Sequence, residues 1–287
     1  MHAMDKPLDI LIKTRAQDLV PFVQLQADLT RHCRLHGRIY VVVHANEFRQ
    51  IFDVVEKGNT VLTAEDVARA AGYTAKLPDT WFTQQIIKIV AANIVEHEHY
   101  LILDSDTLIG FDFSEQHFIS RGNFVYAVND FRDVAWELQS RNFLRLRTAC
   151  RLAGFRAANQ IFAKKNVHAL IDTIESLYDE NIVATLLKYS DELSTDFWTE
   201  FALYGVFIQS RQEPPEHCFE ERLDLVHFSL RTDFGQFLRD IEVQTPLMIK
   251  FHKRRPRRYD LTLDDYRRHV CEIKRVYQRR LETGDLR

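Results

Sequence analysis

Apolar and polar positions follow two different rhythms along this chain. Residues 8–13 (LDILIK) and 38–44 (RIYVVVH) are short apolar runs, the second rich in β-branched residues, and both predict buried strands. Between them, Leu19, Phe22, Val23, Leu25 and Leu29 recur at helical spacing over residues 18–33. Residues 59–62 predict a weaker third strand, and Thr63-Ala64-Glu65-Asp66 opens a helix with a capping box. A long apolar helix is predicted over 81–96, followed at once by a strand over 100–103 (YLIL) and another over 124–128. Strands and helices in this alternation imply an α/β sandwich, a mainly parallel sheet flanked by helices. Ligands of such sheets sit beyond the carboxyl ends of the strands, which makes Thr14, His44 and Asp104 neighbours of one crevice.

The second half is more helical. Residues 166–177, 182–189 and 195–208 have helical periodicity, 211–216 read as a loop around Pro214-Pro215, and 223–228 and 246–251 read as short strands. Residues 263–281 form an amphipathic pattern with Tyr266, Val270, Ile273, Val276, Tyr277 and Leu281 on one side. With no internal repeat or flexible linker, the expectation is one domain over 1–258 and a helical, basic extension over 259–287.

Composition narrows the class. The 287 residues are 46% hydrophobic and 28% charged, ordinary for a globular protein. A net charge of −3 argues against a generic nucleic-acid partner. Cys33, Cys150, Cys218 and Cys271 are widely spaced, so neither a zinc ribbon nor a disulfide framework is indicated. They read as reduced, mostly buried thiols. No stretch approaches the roughly 18 apolar residues of a membrane span, and residues 1–6 carry no apolar signal core. The expected location is therefore the cytoplasm.

The most informative polar residues are Asp104-Ser105-Asp106, directly after the YLIL run. A turn at the strand's end brings two carboxylates towards one hard cation, Mg²⁺ or Mn²⁺, whose remaining ligands come from phosphate and water. Such an ion neutralises charge on a departing nucleoside diphosphate. An Asp-Ser-Asp turn that merely caps the next element is the competing reading.

Here the sequence resembles a known group. W-F-T-Q-Q-I-I-K followed by Y-L-I-L-D-S-D-T-L looks like the core of GT-A glycosyltransferases, and is most similar to a bacterial family of glycosyltransferase-like proteins from polysaccharide-synthesis loci. F-W-T-E-F-A-L-Y-G is similar to that family's second conserved block. The resemblance spans residues 8–255 and implies a Rossmann-like nucleotide-sugar domain, a metal held by Asp104 and Asp106, and sugar transfer from a nucleotide-sugar donor, expected to be a UDP-sugar, to a glycan or lipid-linked glycan acceptor. It also implies that the loop after the first strand holds the nucleoside, which gives Thr14 and Arg15 donor contacts. Asp18 is read as the cap of the following helix.

Further residues join this picture. Gln84 and Lys88 are four apart and share a helix face. Lys88 either meets donor phosphate, with Gln84 or Gln85 hydrogen-bonded to the donor, or snorkels to solvent. Asp196 and Glu200 are likewise four apart, among Phe197, Trp198 and Phe201, a combination suited to a sugar acceptor. Matched to the family's block, Glu200 is the expected general base and Asp196 the second candidate. The resemblance further implies a histidine metal ligand near the C-terminus, His252 in preference to His227, with Lys253, Arg254 and Arg255 holding the diphosphate. His97 and His99 read as surface residues. The basic tail suits either an anionic membrane surface, at about 1 kcal/mol per basic residue, or simple solvation. A nucleotidyltransferase would require a glycine-rich loop after the first strand, and I-K-T-R-A-Q-D has no glycine. A non-catalytic nucleotide- or glycan-binding module on the same fold is the remaining alternative.

Overall fold

A computed structural model describes residues 7–128, 134–146, 159–192, 198–211, 217–221, 234–244, 246–250 and 263–283. Its elements run β1 (Leu8–Lys13), α1 (Leu19–His32), β2 (Ile39–Val43), α2 (Phe48–Phe52), β3 (Thr60–Thr63), α3 (Ala64–Ala70), α4 (Trp81–Val90), β4 (His99–Asp104) and β5 (Thr107–Ile109) in the first part. The second part adds β6 (Ile119–Ser120), β7 (Asn123–Val128), α5 (Val134–Phe143), β8 (Ile161–Ala163), α6 (Lys164–Tyr178), α7 (Ile182–Glu192) and α8 (Glu200–Ser210). β9 (His217–Glu221), α9 (Phe234–Gln244), β10 (Met248–Lys250) and α10 (Leu263–Glu282) complete it.

The main sheet has the order β3-β2-β1-β4-β8, with β8 antiparallel to four parallel strands. β1 is buried at every position, which is why it reads as a continuous apolar run rather than an alternating one. Successive side chains still point to opposite faces. Leu11, Tyr40, Val42, Tyr100 and Ile102 enter a core with α3, α4, α6, α7 and α8. Ile10, Ile12, Val41, Val43, Leu101 and Leu103 enter the other, against α1. A third cluster joins Leu108 of β5 and Ile249 of β10 to Phe237 of α9 and to Val270, Ile273, Val276 and Tyr277 of α10. Both faces of the sheet are therefore covered, as the sequence pattern predicts.

The acidic residue of β1, Asp9, is fully buried and fully used. It accepts from the backbone N–H groups of Arg38, Glu96 and His97 and lies 2.7 Å from His97 Nδ1. His97 is thus a half-buried strut and not a plain surface residue.

Several expectations need correction. The helix expected over 81–96 stops at Val90 and continues as a 3₁₀ turn, Ala91–Asn93, where the Asn93 side chain bonds Val90 O at 3.0 Å. The helix expected from residue 195 begins at Glu200, because Thr199 is its N-cap and accepts from Ala202 N at 3.1 Å. Asp18 occupies the N-cap position of α1 but makes no side-chain capping bond. Leu281 is 47% exposed, off the buried side of α10. Cys33 is half-buried and Cys271 exposed, so burial does not describe the free thiols that are visible. The capping box at Thr63 and Asp66 forms as expected. The loop over 212–216 and the strand over 223–228 lie outside the described residues. No helix among the described residues is long and apolar enough to cross a membrane.

Candidate active site

The carboxyl ends of β1, β2 and β4 carry two adjoining groups of polar side chains. Lys13, the last residue of β1, is in register with Asp104, the last residue of β4. Its side chain is 2% exposed and donates to Thr14 O at 2.9 Å. Burial pushes its pKa down to about 8, against the opposing pull of Glu47. Thr14 follows, tied to β2 through its backbone N–H and Val42 O at 3.0 Å. The Thr14 hydroxyl is buried without a hydrogen-bond partner, an exception of the kind that marks a ligand-facing group. Arg15 reaches Asp79 at 2.8 Å, and Asp79 also stands 3.3 Å from Nε2 of the buried His44. Burial and Lys13 hold the His44 pKa below its ordinary value. Thr14 and Arg15 thus lie at the carboxyl end of β1, with the Arg15 guanidinium joined to Asp79.

At β4 the chain ends the strand on Asp104 and turns through Ser105 and Asp106 into β5. Asn159 fastens this turn. Its Oδ1 accepts from Asp104 N at 3.2 Å and from the Thr107 hydroxyl at 3.2 Å. Its Nδ2 is buried without a partner.

Behind the turn lies a buried ion cluster. Lys88 of α4 does not snorkel. It is 4% exposed, and its ammonium lies 2.5 Å from Asp104 Oδ1 and 2.8 Å from Glu200 Oε1. Burial alone would lower its pKa, but the two carboxylates outweigh that and hold the ammonium above its ordinary value. Glu200 is 1% exposed. Burial raises its pKa against the lowering effect of Lys88. With its amide nitrogen facing Glu200, Gln85 donates to Glu200 Oε1 at 2.8 Å and accepts from the Trp81 indole at 3.3 Å. Tyr100 of β4 donates to Lys88 O at 3.1 Å, which seats α4 on the sheet.

The structure therefore brings Lys88, Asp104 and Glu200 together and places Thr14 and Arg15 along the same edge. Gln84 is half-buried, and the glutamine that reaches the cluster is Gln85, three residues before Lys88. Asp196, His227, His252 and Lys253 lie outside the described residues. Sequence reasoning missed Lys13, Asp79 and Asn159. Only Lys13 carried a signal, as a lysine closing a buried apolar strand.

The donor set at the turn suits a hard divalent ion, since Asp104 and Asp106 offer oxygen ligands. Among the described residues no group of three or more His, Cys, Asp and Glu side chains forms a complete metal site.

Comparison with solved structures shows the fold. The chain is similar to WbbM, a bifunctional glycosyltransferase, with a TM-score of 0.54 at 12% identity over 96% of this chain and 52% of that one. It thus spans about half the length of WbbM. It is also similar to the galactosyltransferase LgtC in complex with donor and acceptor sugar analogues, with a TM-score of 0.51 at 12% identity over 93% of this chain and 95% of that one. An active-site mutant of LgtC gives a TM-score of 0.52 at 12% identity, over 92% and 95%. The architecture is that of the GT-A glycosyltransferases. No curated protein matches the chain in sequence. A family match covers residues 10–232, and by it the chain belongs to DUF6492, a family of unknown function.

Proposed function

We propose that the chain is a metal-dependent glycosyltransferase that moves a sugar from a nucleotide-sugar donor, a UDP-sugar in the leading case, to a glycan or lipid-linked glycan acceptor. The observation that carries this reading is the Asp104-Ser105-Asp106 turn at the carboxyl end of a parallel strand, on a fold shared with LgtC and WbbM. Asp104 and Asp106 would hold Mn²⁺ or Mg²⁺, and the ion supplies charge neutralisation for the departing diphosphate. Thr14, with its unpartnered buried hydroxyl, and Arg15 line the donor's nucleoside end, while Lys13 places a buried positive charge against the Thr14 carbonyl.

The backbone of β10 supports a role for the chain beyond it. Lys250 pairs with Thr107, the residue after Asp106. His252 and Lys253 follow Lys250 by two and three residues in the sequence. His252 is the proposed third protein ligand, with His227 as the alternative, and Lys253 a diphosphate contact. Asp196 is the proposed acceptor-side carboxylate, and Gln84 remains a candidate donor contact on α4. The exposed arginines of α10, Arg267, Arg268, Arg275 and Arg279, are where an anionic membrane would be met.

The test is a thermal-shift panel of UDP, GDP and CMP with and without Mn²⁺. A ligand at 100 times its dissociation constant should stabilise the protein by about 2.7 kcal/mol. Asp104→Ala and Asp106→Ala should abolish the metal-dependent shift and any metal-dependent donor turnover. A shift and turnover unchanged in both variants would reject the site. Nucleotide binding in the wild type with no turnover of any donor would instead support the non-catalytic module.

A further inference from the structure

Glu200 is poorly placed to touch an acceptor. It is 1% exposed, it is the first residue of α8, and both of its oxygens face Gln85 while Oε1 also takes Lys88. A base that collects a proton from a sugar hydroxyl must come within hydrogen-bond reach of it. Moving Glu200 out would strand the Lys88 ammonium in a site where charge is costly.

The same contacts indicate what Glu200 does instead. One buried ammonium needs one carboxylate for neutrality, yet Lys88 has two, from β4 and from the start of α8. The second fixes its direction. Glu200 is itself held by Gln85 and favoured by the amino-terminal end of α8, where a carboxylate meets the positive end of the helix dipole. The chain of contacts runs Gln85, Glu200, Lys88, Asp104, from the interior to the proposed metal ligand. Partners behind a metal ligand orient it and tune its affinity.

We propose that Glu200 is a positioning residue, which holds Lys88 so that Lys88 in turn sets the orientation of Asp104 for a metal-bound nucleoside diphosphate. This rests on the glycosyltransferase reading above and changes the role that sequence matching gives to Glu200. A positioning residue and a base respond differently to the same change. Glu200→Gln should weaken Mn²⁺-dependent binding of the diphosphate by roughly 10–100-fold, as loss of such partners does elsewhere. A lost base would leave that affinity intact and lower kcat by roughly 10²–10⁴-fold.

The experiment is calorimetric titration of the full chain with UDP and with GDP, each with Mn²⁺, for wild type, Glu200→Gln and Gln85→Met, beside steady-state kinetics. The expected result is weaker binding and a raised KM in Glu200→Gln with kcat reduced far less, and a smaller loss in the same direction in Gln85→Met. Gln85→Met keeps every charge, so it carries the test if Glu200→Gln does not fold. Wild-type affinity in both variants, or in Gln85→Met alone should Glu200→Gln not fold, overturns the assignment while leaving the glycosyltransferase reading in place. A wild-type protein that binds no nucleoside diphosphate overturns both.

Discussion

Lys274 Nζ lies 2.6 Å from Asp28 Oδ1, an ion pair that joins the last helix of the chain to the first. Asp28 is 1% exposed and also receives Gln24 Nε2 at 2.8 Å and the Ile109 N–H at 3.3 Å, so α1, β5 and α10 meet on one carboxylate. Removing the cation leaves a buried charge with hydrogen bonds but no counter-charge. Lys274→Met should destabilise by about 1–3 kcal/mol, less than a fully enclosed pair because the Lys274 side chain is 39% exposed. Denaturant unfolding measures it. A cost near zero would mean that Asp28 is satisfied without α10.

α10 is positioned a second way, by shape. A Cβ on Gly110 would come within 2.1 Å of the ring of Tyr277, which is 3% exposed and whose hydroxyl donates to Pro246 O. Gly110→Ala should cost about 1–3 kcal/mol through overpacking. In a Tyr277→Ala background the added methyl has room, so its cost should largely vanish. Equal costs in both backgrounds would show that the ring is not the obstacle.

Lys88→Met tests the buried cluster from its centre. It leaves Asp104 and Glu200 facing each other without a cation, and breaking such a buried group typically costs about 3–5 kcal/mol. Adding Glu200→Leu should recover much of that stability, because the stranded charge goes with it. It should not recover metal-dependent nucleotide binding. Full recovery of binding in the double variant would remove Lys88 from the donor site.

Lys13 sets a pH dependence with a definite sign. Its folded pKa of about 8 lies below its ordinary 10.5, so the unfolded chain binds the proton more readily. Its contribution to stability is present above pH 10.5 and is lost as the pH falls through 8. At pH 7 this amounts to about 3 kcal/mol. Lys13→Met should therefore stabilise the protein at pH 7, with the gain shrinking towards pH 10. Weaker binding of nucleoside diphosphate in the same variant would show why a costly charge is kept there. A variant no more stable than wild type at pH 7 would contradict the burial account.

The sheet was legible because buried parallel strands are unbroken apolar runs. β1 was read to the residue, and β2 and β4 within one, on that signal alone. The three-residue strands β5 and β8 were not, since pairing and not periodicity defines them. The cluster around Lys88 shows the same limit. Helical spacing offered Gln84 as its companion, but α4 turns Gln85 inward, and the Glu200 contact spans 112 residues of sequence. Spacing reveals a shared face; it does not reveal which face meets which partner. α8 starts five residues later than periodicity predicts, because periodicity does not locate a cap and the Thr199 side chain takes that position.

Asn159 has a left-handed backbone, with φ of 63°, and its side-chain oxygen bridges the two ends of the Asp104–Thr107 turn. Asparagine tolerates that conformation better than most residues. An amide bridge carries no net charge, so its grip does not change when salt is added or when a neighbouring acid gains a proton. The spacing of the two aspartate backbones is consequently a property of the fold itself, so that binding of the proposed ion would call on side-chain rotation and spare the main chain.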